Sequence, residues 1–217
     1  YPFIIDRSGI LWTGTVGYGL RKYNNTSSKF KTQLIGYSVR FIVPAAENDI
    51  FLGDYAYGWR RITNDVTVAK PFSNIPLLTQ IDNFIISKTG DYWIKSDNKG
   101  YIKYNPASGK LLSYPQINFY EGQGDKHPML EDSKGNILFP GLGGLFYRMN
   151  TATDMLDSFT INTNAAKPLP SKTICTALFQ DEQDVFWMGT AEGFAKLAFS
   201  DAGKRQPQVT WYYNNNN

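Results

Sequence analysis

The fold of this chain is decided by the stretch Gly9-Ile10-Leu11-Trp12-Thr13-Gly14-Thr15, which is followed by Gly19-Leu20-Arg21-Lys22-Tyr23. The pattern recurs four more times in weakened form along the 217 residues. If Trp12 is taken as the anchor of the first repeat, successive anchors are 39, 42, 45 and 49 residues apart, at Phe51, Trp93, Leu138 and Trp187. A period of roughly 40 to 50 residues is typical of propeller blades and related arrays.

A turn is predicted before each anchor. Three positions upstream stand residue types that tolerate positive φ, as tight hairpin turns require: Gly9, Asn48, Gly90, Gly135 and Asp184. Six positions upstream, four of the five residues are short and polar and can start a turn by bonding their own backbone: Asp6, Ala45, Ser87, Asp132 and Asp181. Each repeat therefore reads as a strand, an Asp-x-x-Gly type of turn, and a second strand that carries the anchor.

A second turn and two further strands are predicted after each anchor. Six or seven positions downstream comes a glycine followed by a large apolar residue, at Gly19, Gly58, Gly100, Gly144 and Gly193. A fourth apolar run closes each repeat, at 30–34, 66–69, 111–114, 155–159 and 209–213. The chain is therefore predicted to be all-β, with five blades of four antiparallel strands and with Trp12, Trp93 and Trp187 buried at equivalent positions.

Two more positions recur and favour an architectural interpretation. Two residues past the anchor stand Gly14, Gly53, Lys95, Pro140 and Gly189, and a glycine beside a ring indicates close approach of a neighbouring backbone. Three residues past the second-turn glycine stand Lys22, Arg61, Lys103, Tyr147 and Lys196. Because recurrence points to architecture, we expect the four basic residues among them, Lys22, Arg61, Lys103 and Lys196, at the blade surface or against the turn carboxylate of a neighbouring blade.

The pattern Asp6-x-x-Gly9-x-Leu11-Trp12-x-Gly14-Thr15 with Gly19-Leu20 resembles the two-component regulator propeller repeat. Segments 181–190 and 131–138 match less closely, the unit around Phe51 lacks the turn aspartate, and Lys95 replaces the usual glycine. The resemblance covers essentially the whole chain, in units of about 1–35, 36–72, 80–115, 127–160 and 172–214. It implies a periplasmic sensor region of a bacterial hybrid two-component histidine kinase, a family that often responds to oligosaccharides.

Both ends fall inside the repeat pattern, so we expect the chain to be a segment of a larger propeller. The closing Trp211-Tyr212-Tyr213 reads as a fourth strand awaiting a further inner strand. Uncovered blade faces are apolar, which predicts self-association or packing with further blades. No apolar run approaches the ~20 residues that span a bilayer, so no membrane contact by this segment is expected.

Charge and composition exclude several classes of partner. The net charge of +3 is small and spread through the repeats, which does not favour nucleic acid. The single cysteine, Cys175, can form no internal disulfide and is expected to be a small buried hydrophobe.

Little in the sequence indicates catalysis. A catalytic triad would have to use the only histidine, His127, near Asp125, and no nucleophile-elbow sequence is present. No Cys/His metal spacing occurs, and the run 141–144 lacks the helix and the Lys-Ser/Thr of a phosphate loop. The carboxylate pairs at 131–132 and 181–182 fall in predicted turns. We therefore expect no enzyme activity, cofactor or metal in this segment. A propeller-fold polysaccharide or lactone lyase and a protein-interaction or dimerisation propeller remain as alternatives.

Ligand-binding residues are expected where the repeats differ, in the turns between the second and third strands. Those turns combine aromatic faces with hydrogen-bonding groups, which suits the C–H faces and hydroxyls of a sugar. The candidate oligosaccharide-binding residues are Tyr18, Asp54, Tyr55, Tyr57, Asp97, Asn98, Lys99 and Glu192.

Overall fold

The chain forms five four-stranded antiparallel sheets, each joined in the order of the sequence. The computed structural model describes residues 2–24, 29–33, 36–45, 49–54, 58–63, 66–69, 81–96, 99–115, 117, 128–161, 170–171, 173–199 and 206–213, with the backbone alone at 24, 29–33, 66–69 and 213. We call each sheet a blade. The predicted all-β fold of five blades is confirmed.

The strands of the first three blades have the following bounds: β1 Phe3–Ile5, β2 Leu11–Thr15, β3 Gly19–Asn24, β4 Lys29–Gln33, β5 Val39–Pro44, β6 Asp49–Asp54, β7 Gly58–Thr63, β8 Val66–Ala69, β9 Ile81–Ile86, β10 Tyr92–Ser96, β11 Gly100–Tyr104 and β12 Leu111–Tyr114. The strands of the last two blades are β13 Leu130–Glu131, β14 Ile137–Pro140, β15 Leu145–Asn150, β16 Met155–Thr160, β17 Ala177–Gln180, β18 Phe186–Thr190, β19 Gly193–Ala198 and β20 Gln208–Tyr213. A single 3-10 turn, Leu142–Gly144, links β14 to β15. No helix among the described residues is long and apolar enough to cross a bilayer.

The blades fall into two compact units, Tyr1–Tyr114 with three blades and Pro115–Asn217 with two. In the first unit, one core joins blades one and two and another joins blades two and three, built around the buried side chains Leu20, Val39, Leu52, Phe41, Phe51 and Phe84. In the second unit, a core of described residues joins blades four and five, built around Leu138, Phe146, Phe159, Phe186, Met188 and Leu197. Apolar contacts between successive blades therefore stabilise each unit.

The first turn has the predicted chemistry in the four repeats where the structure describes it in full, and residues 46–48 of the second repeat lie outside the described residues. In the first blade, Gly9 N–H donates to the Asp6 carbonyl at 2.9 Å, and Asp6 Oδ1 accepts the N–H groups of Ser8 and Ile10. The same pattern recurs around Asp132 and Asp181, and φ is positive at Gly9, Gly90, Gly135 and Asp184. The aspartate thus replaces backbone partners that the tight turn cannot supply.

The anchor prediction holds for two of the three tryptophans. Trp12 and Trp93 are buried, at 4% and 0% exposure. Trp187 is only half-buried, because its ring stacks on Tyr212 and lies beside Phe194, both of which are themselves exposed. Its local bonding nevertheless repeats that of Trp12, since each indole Nε1 donates at 2.8 Å to the carboxylate six residues upstream.

A basic residue lies directly opposite the anchor in every blade, in the pairs Trp12–Lys22, Phe51–Arg61, Trp93–Lys103, Leu138–Arg148 and Trp187–Lys196. In the fourth blade the residue opposite the anchor is Arg148, which directly follows Tyr147 in the sequence. The expected pairing with neighbouring blades is corrected. Three lysines lie 5.0–5.6 Å from the tryptophan ring of their own pair, and Arg61 binds Asp49 of its own blade.

The position two residues past the anchor is tightly enclosed. A Cβ on Gly14 would lie 2.7 Å from Val39 Cγ1, and one on Gly53 would overlap the Phe41 ring. Side chains rather than a backbone therefore cover these glycines. In the third blade Lys95 occupies this position with 0% exposure, and its Nζ lies 3.5 Å from Asp82 Oδ2.

Candidate functional site

The turns between the second and third strands contact the segments that connect successive blades. In the first unit, Gly36 N–H donates to the Gly17 carbonyl and Gly19 N–H to the Tyr37 carbonyl, each at 3.2 Å. In the second unit, Gly143 N–H donates to the Thr173 carbonyl at 3.2 Å. Within each unit, these turns and the connecting segments therefore lie on one face of the blades.

Tyr18 is the one predicted tyrosine that lies within the described residues. It is 69% exposed at the tip of the β2–β3 turn, beside Val16 at 61%. The turn is held by Thr15 Oγ1, which donates to the Gly19 carbonyl at 2.8 Å. A fixed turn therefore presents an apolar ring to solvent with no side-chain packing to explain it.

An aromatic–cation pair stands next to this turn and was missed by the sequence analysis. The Arg60 guanidinium carbon lies 4.7 Å from the centre of the Tyr37 ring, and Arg60 Nη2 donates to Tyr37 Oη at 3.3 Å. Both side chains are half-buried. Tyr37 lies in a connecting segment, where the repeats have no common position, so periodicity could not mark it. Its one signal is an aromatic residue directly after Gly36, in the segment that approaches the turn.

Asp54 occupies a different environment from the one that a binding residue needs. It is 1% exposed, and its Oδ2 accepts the Ser38 N–H at 2.7 Å. The carboxylate therefore ties the end of β6 to the segment that enters β5. Its geometry supports a positioning role for the connecting segment and leaves no surface for direct contact with a ligand.

Lys99 and Glu192 lie in the corresponding turns of blades three and five. Lys99 is exposed, and its N–H donates to the Ser96 carbonyl at 3.3 Å. Glu192 N–H donates to Thr190 Oγ1 at 3.2 Å, while its carboxylate oxygen Oε2 is buried and accepts no hydrogen bond from the described part of the chain. A buried acceptor without a donor is costly, so Glu192 is a candidate to receive a hydroxyl or amide of a ligand.

The other four candidates, Tyr55, Tyr57, Asp97 and Asn98, lie outside the described residues, as do Asp125 and His127. The structure therefore places Tyr18, Asp54 and Lys99 in the first unit and Glu192 in the second. Of these four, Tyr18, Lys99 and Glu192 reach the turn surface of their own units.

The described ranges contain side chains that can bind a polar ligand. Across them, no group of three or more His, Cys, Asp or Glu side chains is arranged to hold a metal ion. Burial raises the pKa of the Cys175 thiol to about 12, so the thiol stays protonated and is a poor nucleophile. Aromatic rings, a guanidinium and a carboxylate at fixed turns can stack on and hydrogen-bond a polar ligand.

In sequence, the chain matches no family model and no curated protein. In structure, it is similar to the extracellular domain of the candidate hybrid two-component system BT4673 from B. thetaiotaomicron, with a TM-score of 0.72 and 15% identity over 96% of this chain and 29% of that one. A second such domain, of BT3049 from the same organism, matches with a TM-score of 0.68 and 15% identity over 97% of this chain and 30% of that one. Virginiamycin B lyase from Staphylococcus aureus matches with a TM-score of 0.69 and 13% identity over 98% of this chain and 69% of that one.

These similarities concern the fold, since all three identities lie at or below 15%. The chain spans less than a third of the two sensor domains that it resembles. Sensor domains and a lyase thus both share this fold, so the fold alone does not decide between a sensor function and a lyase function. What is established is that the chain has the fold of a β-propeller segment.

Proposed function

We propose that this chain is a ligand-binding module in the extracytoplasmic sensor region of a hybrid two-component histidine kinase, and that its ligand is an oligosaccharide. The observation that carries the proposal is the structural match to the extracellular domains of two candidate hybrid two-component systems, over 96% and 97% of this chain. The repeat pattern around Trp12 supports the same family independently.

The turn surfaces support a carbohydrate ligand. Tyr18 offers an exposed ring, and the half-buried Tyr37–Arg60 pair offers a second ring with guanidinium donors beside it. Sugars present C–H faces to rings and hydroxyls to such polar groups. In the second unit, Glu192 Oε2 supplies a buried acceptor. Tyr55, Tyr57, Asp97 and Asn98 belong to the same turns and remain predicted contacts.

Calorimetric titration of the purified chain with a panel of oligosaccharides from polysaccharide breakdown tests the proposal. Tyr18→Ala should weaken binding up to about tenfold, because an aromatic stacking contact contributes about 0.5–1.5 kcal/mol. Ile5→Ala is the matched control. Ile5 is 65% exposed in the same blade, and its partner Leu11 lies at the end of β2 away from the Tyr18 turn. Absence of binding across the panel, or equal losses in the two variants, would contradict an oligosaccharide site at this turn.

A lyase is the second candidate, because the match to virginiamycin B lyase covers most of both chains. In that lyase a histidine-to-alanine variant is catalytically inactive. The present sequence has one histidine, His127, which a lyase mechanism would have to use. Turnover of a polysaccharide or lactone that disappears in His127→Ala would favour the lyase and overturn the non-enzymatic proposal.

An interaction propeller is the third candidate, and we also propose that the chain associates with a second copy or with further blades. The exposed apolar side chains Phe3 and Ile5 on β1 support this, at 76% and 65% exposure. Sedimentation velocity over a range of concentrations tests it. A species that stays monomeric at the highest concentration would argue against self-association.

A further inference from the structure

A polar groove of about 280 Å³ lies between blades four and five, at the opposite end of the blades from the β14–β15 and β18–β19 turns. Its walls include the first turn of each blade, around Asp132 and Asp184, and the end of β19 at Ala198 and Phe199. Ligand pockets for drug-sized molecules begin at about 300 Å³, so a groove of this size suits one small ring.

Arg148 is the unusual charge in this groove. Its cross-strand partners are Leu138 on β14 and Asp157 on β16, so it lacks the tryptophan ring that its lysine counterparts face in blades one, three and five. The guanidinium carbon lies instead 5.3 Å from the Phe199 ring, on the neighbouring blade. No hydrogen bond or ion pair joins this half-buried guanidinium to the described part of the chain, which leaves its planar set of donors available.

Two acidic residues of the groove walls, Asp132 and Asp184, accept hydrogen bonds within their own blades, and a third, Asp157, lies opposite Arg148 on β16. Asp132 accepts hydrogen bonds from the N–H groups of Lys134 and Asn136 and from the Asn136 side-chain amide, at 2.7–3.0 Å. Asp184 Oδ1 accepts Gln180 Nε2 at 3.0 Å. These bonds engage both carboxylate oxygens of Asp132 and one carboxylate oxygen of Asp184.

Neutral hydrogen-bonding groups complete the groove. Gln180 bridges the two blades, because its Oε1 accepts the Ser133 N–H at 2.8 Å. This bond fixes the spacing between the walls. The exposed side chains of Gln183 and Lys134 stand at the rim and can donate to hydroxyl or carboxylate oxygens.

We propose that this groove binds a small hydroxylated carboxylate of one-ring size, with Arg148 as the carboxylate receptor. A guanidinium binds a carboxylate through two parallel N–H···O bonds, a geometry that a lysine ammonium cannot supply. The Phe199 ring beneath Arg148 supports one face of the guanidinium and restricts its orientation. Gln183 and Lys134 then serve the hydroxyls of the same ligand. The site is separate from the turn surfaces of the proposed function.

The probe is D-glucuronate, compared with D-glucose, which lacks the carboxylate, and with cyclohexanecarboxylate, which lacks the hydroxyls. Saturation-transfer NMR or calorimetry on the whole chain should show the strongest binding for glucuronate. Arg148→Gln should weaken it at least tenfold, and Arg148→Lys should weaken it less, because the charge remains while the fork is lost. Arg21→Gln is the control, since Arg21 is an exposed arginine on a third strand of the other unit.

A second variant keeps the proposal falsifiable if Arg148→Gln fails to fold. Gln183 is exposed at the rim, so Gln183→Ala should leave the melting temperature unchanged and weaken glucuronate several-fold. Equal binding of glucose and glucuronate, no binding at millimolar glucuronate, or full binding by a folded Arg148→Gln protein would each overturn the proposal. Tyr18→Ala should leave glucuronate binding unchanged, which separates this site from the oligosaccharide site.

Discussion

Gly53→Ala should be strongly destabilising, because the Phe41 ring fills the space that a methyl group would need. Phe41 is 5% exposed and stacks on Phe84 with 5.6 Å between ring centres. Phe84 in turn contacts Phe51 and Trp59, so the ring cannot yield without disturbing the core between blades two and three. Overpacking of a well-filled core costs about 1–3 kcal/mol, and this site belongs at the upper end.

The same repeat position in other blades provides a graded series. At Gly14 the nearest side-chain atoms to a new Cβ are Val39 Cγ1 at 2.7 Å and Pro2 Cγ at 2.9 Å, which predicts a loss of about 1–2 kcal/mol for Gly14→Ala. At Gly189 the nearest atom is Ala177 Cβ at 3.4 Å, an ordinary contact. Gly189 also lacks a positive φ, so Gly189→Ala should be neutral or slightly stabilising through the lower entropy of its unfolded chain.

Urea denaturation followed by tryptophan fluorescence measures the series, and a thermal scan gives a second estimate. For a chain of this size, 1 kcal/mol corresponds to a shift of about 2–4 °C in the melting temperature. Phe41→Leu combined with Gly53→Ala should recover part of the loss, since the smaller side chain vacates the space. Equal destabilisation by Gly53→Ala and Gly189→Ala would refute the steric explanation.

Three further predictions concern charge and burial. The hydrogen bond from Trp187 Nε1 is the main cause of the lowered pKa of Asp181. The ionised carboxylate therefore stabilises the fold above the ordinary aspartate pKa, and this stabilisation is lost as the pH falls through the lowered pKa of the folded state. Asp181→Asn should reduce the acid dependence of the urea midpoint between about pH 6 and pH 2. Cys175 should not react with Ellman's reagent at pH 8 until urea unfolds the chain, because the thiol is buried and its pKa is raised to about 12. Lys95→Met should lower the free energy of unfolding by about 3 kcal/mol in the urea assay, because it leaves Asp82 buried beside an apolar side chain. Combining Lys95→Met with Asp82→Leu should recover most of that loss. A double variant as unstable as the single one would contradict the charge-pair explanation.

The repeat was readable from the sequence because its signals are local. Asp6 and Gly9 specify a turn through their own backbone geometry, and the spacing from Trp12 to Gly19 specifies the next hairpin. Such signals need no knowledge of distant parts of the chain. The existence of the strands was therefore predicted well, whereas some strand ends shifted by one residue, as in the fourth strand of the first blade, which was predicted at 30–34 and spans Lys29–Gln33.

Burial and register were harder to predict, because they depend on contacts between residues that are far apart in the sequence. In the sequence Asp54 resembles an exposed turn residue. In the structure its side chain is buried and accepts a hydrogen bond from the N–H of Ser38 in the connecting segment. Trp187 makes the same hydrogen bond as Trp12, but its ring is only half-buried whereas that of Trp12 is buried. The Tyr37–Arg60 pair joins a connecting segment to a strand 23 residues away, a relation that no periodicity encodes.

The basic residue opposite each anchor has a different partner in different blades, and this difference separates structural roles from a candidate binding role. Where the anchor is tryptophan, the lysine stacks on it, and where the anchor is Phe51, Arg61 binds the carboxylate of Asp49. In each of these blades the basic side chain interacts with a residue of its own blade. In blade four the anchor is Leu138, which offers neither a ring nor a carboxylate, so Arg148 turns to Phe199 across the groove. Arg148 thus stacks on no ring of its own blade, although Asp157 lies opposite it on β16, and the replacement of the aromatic anchor by Leu138 is the sequence feature that marks the groove.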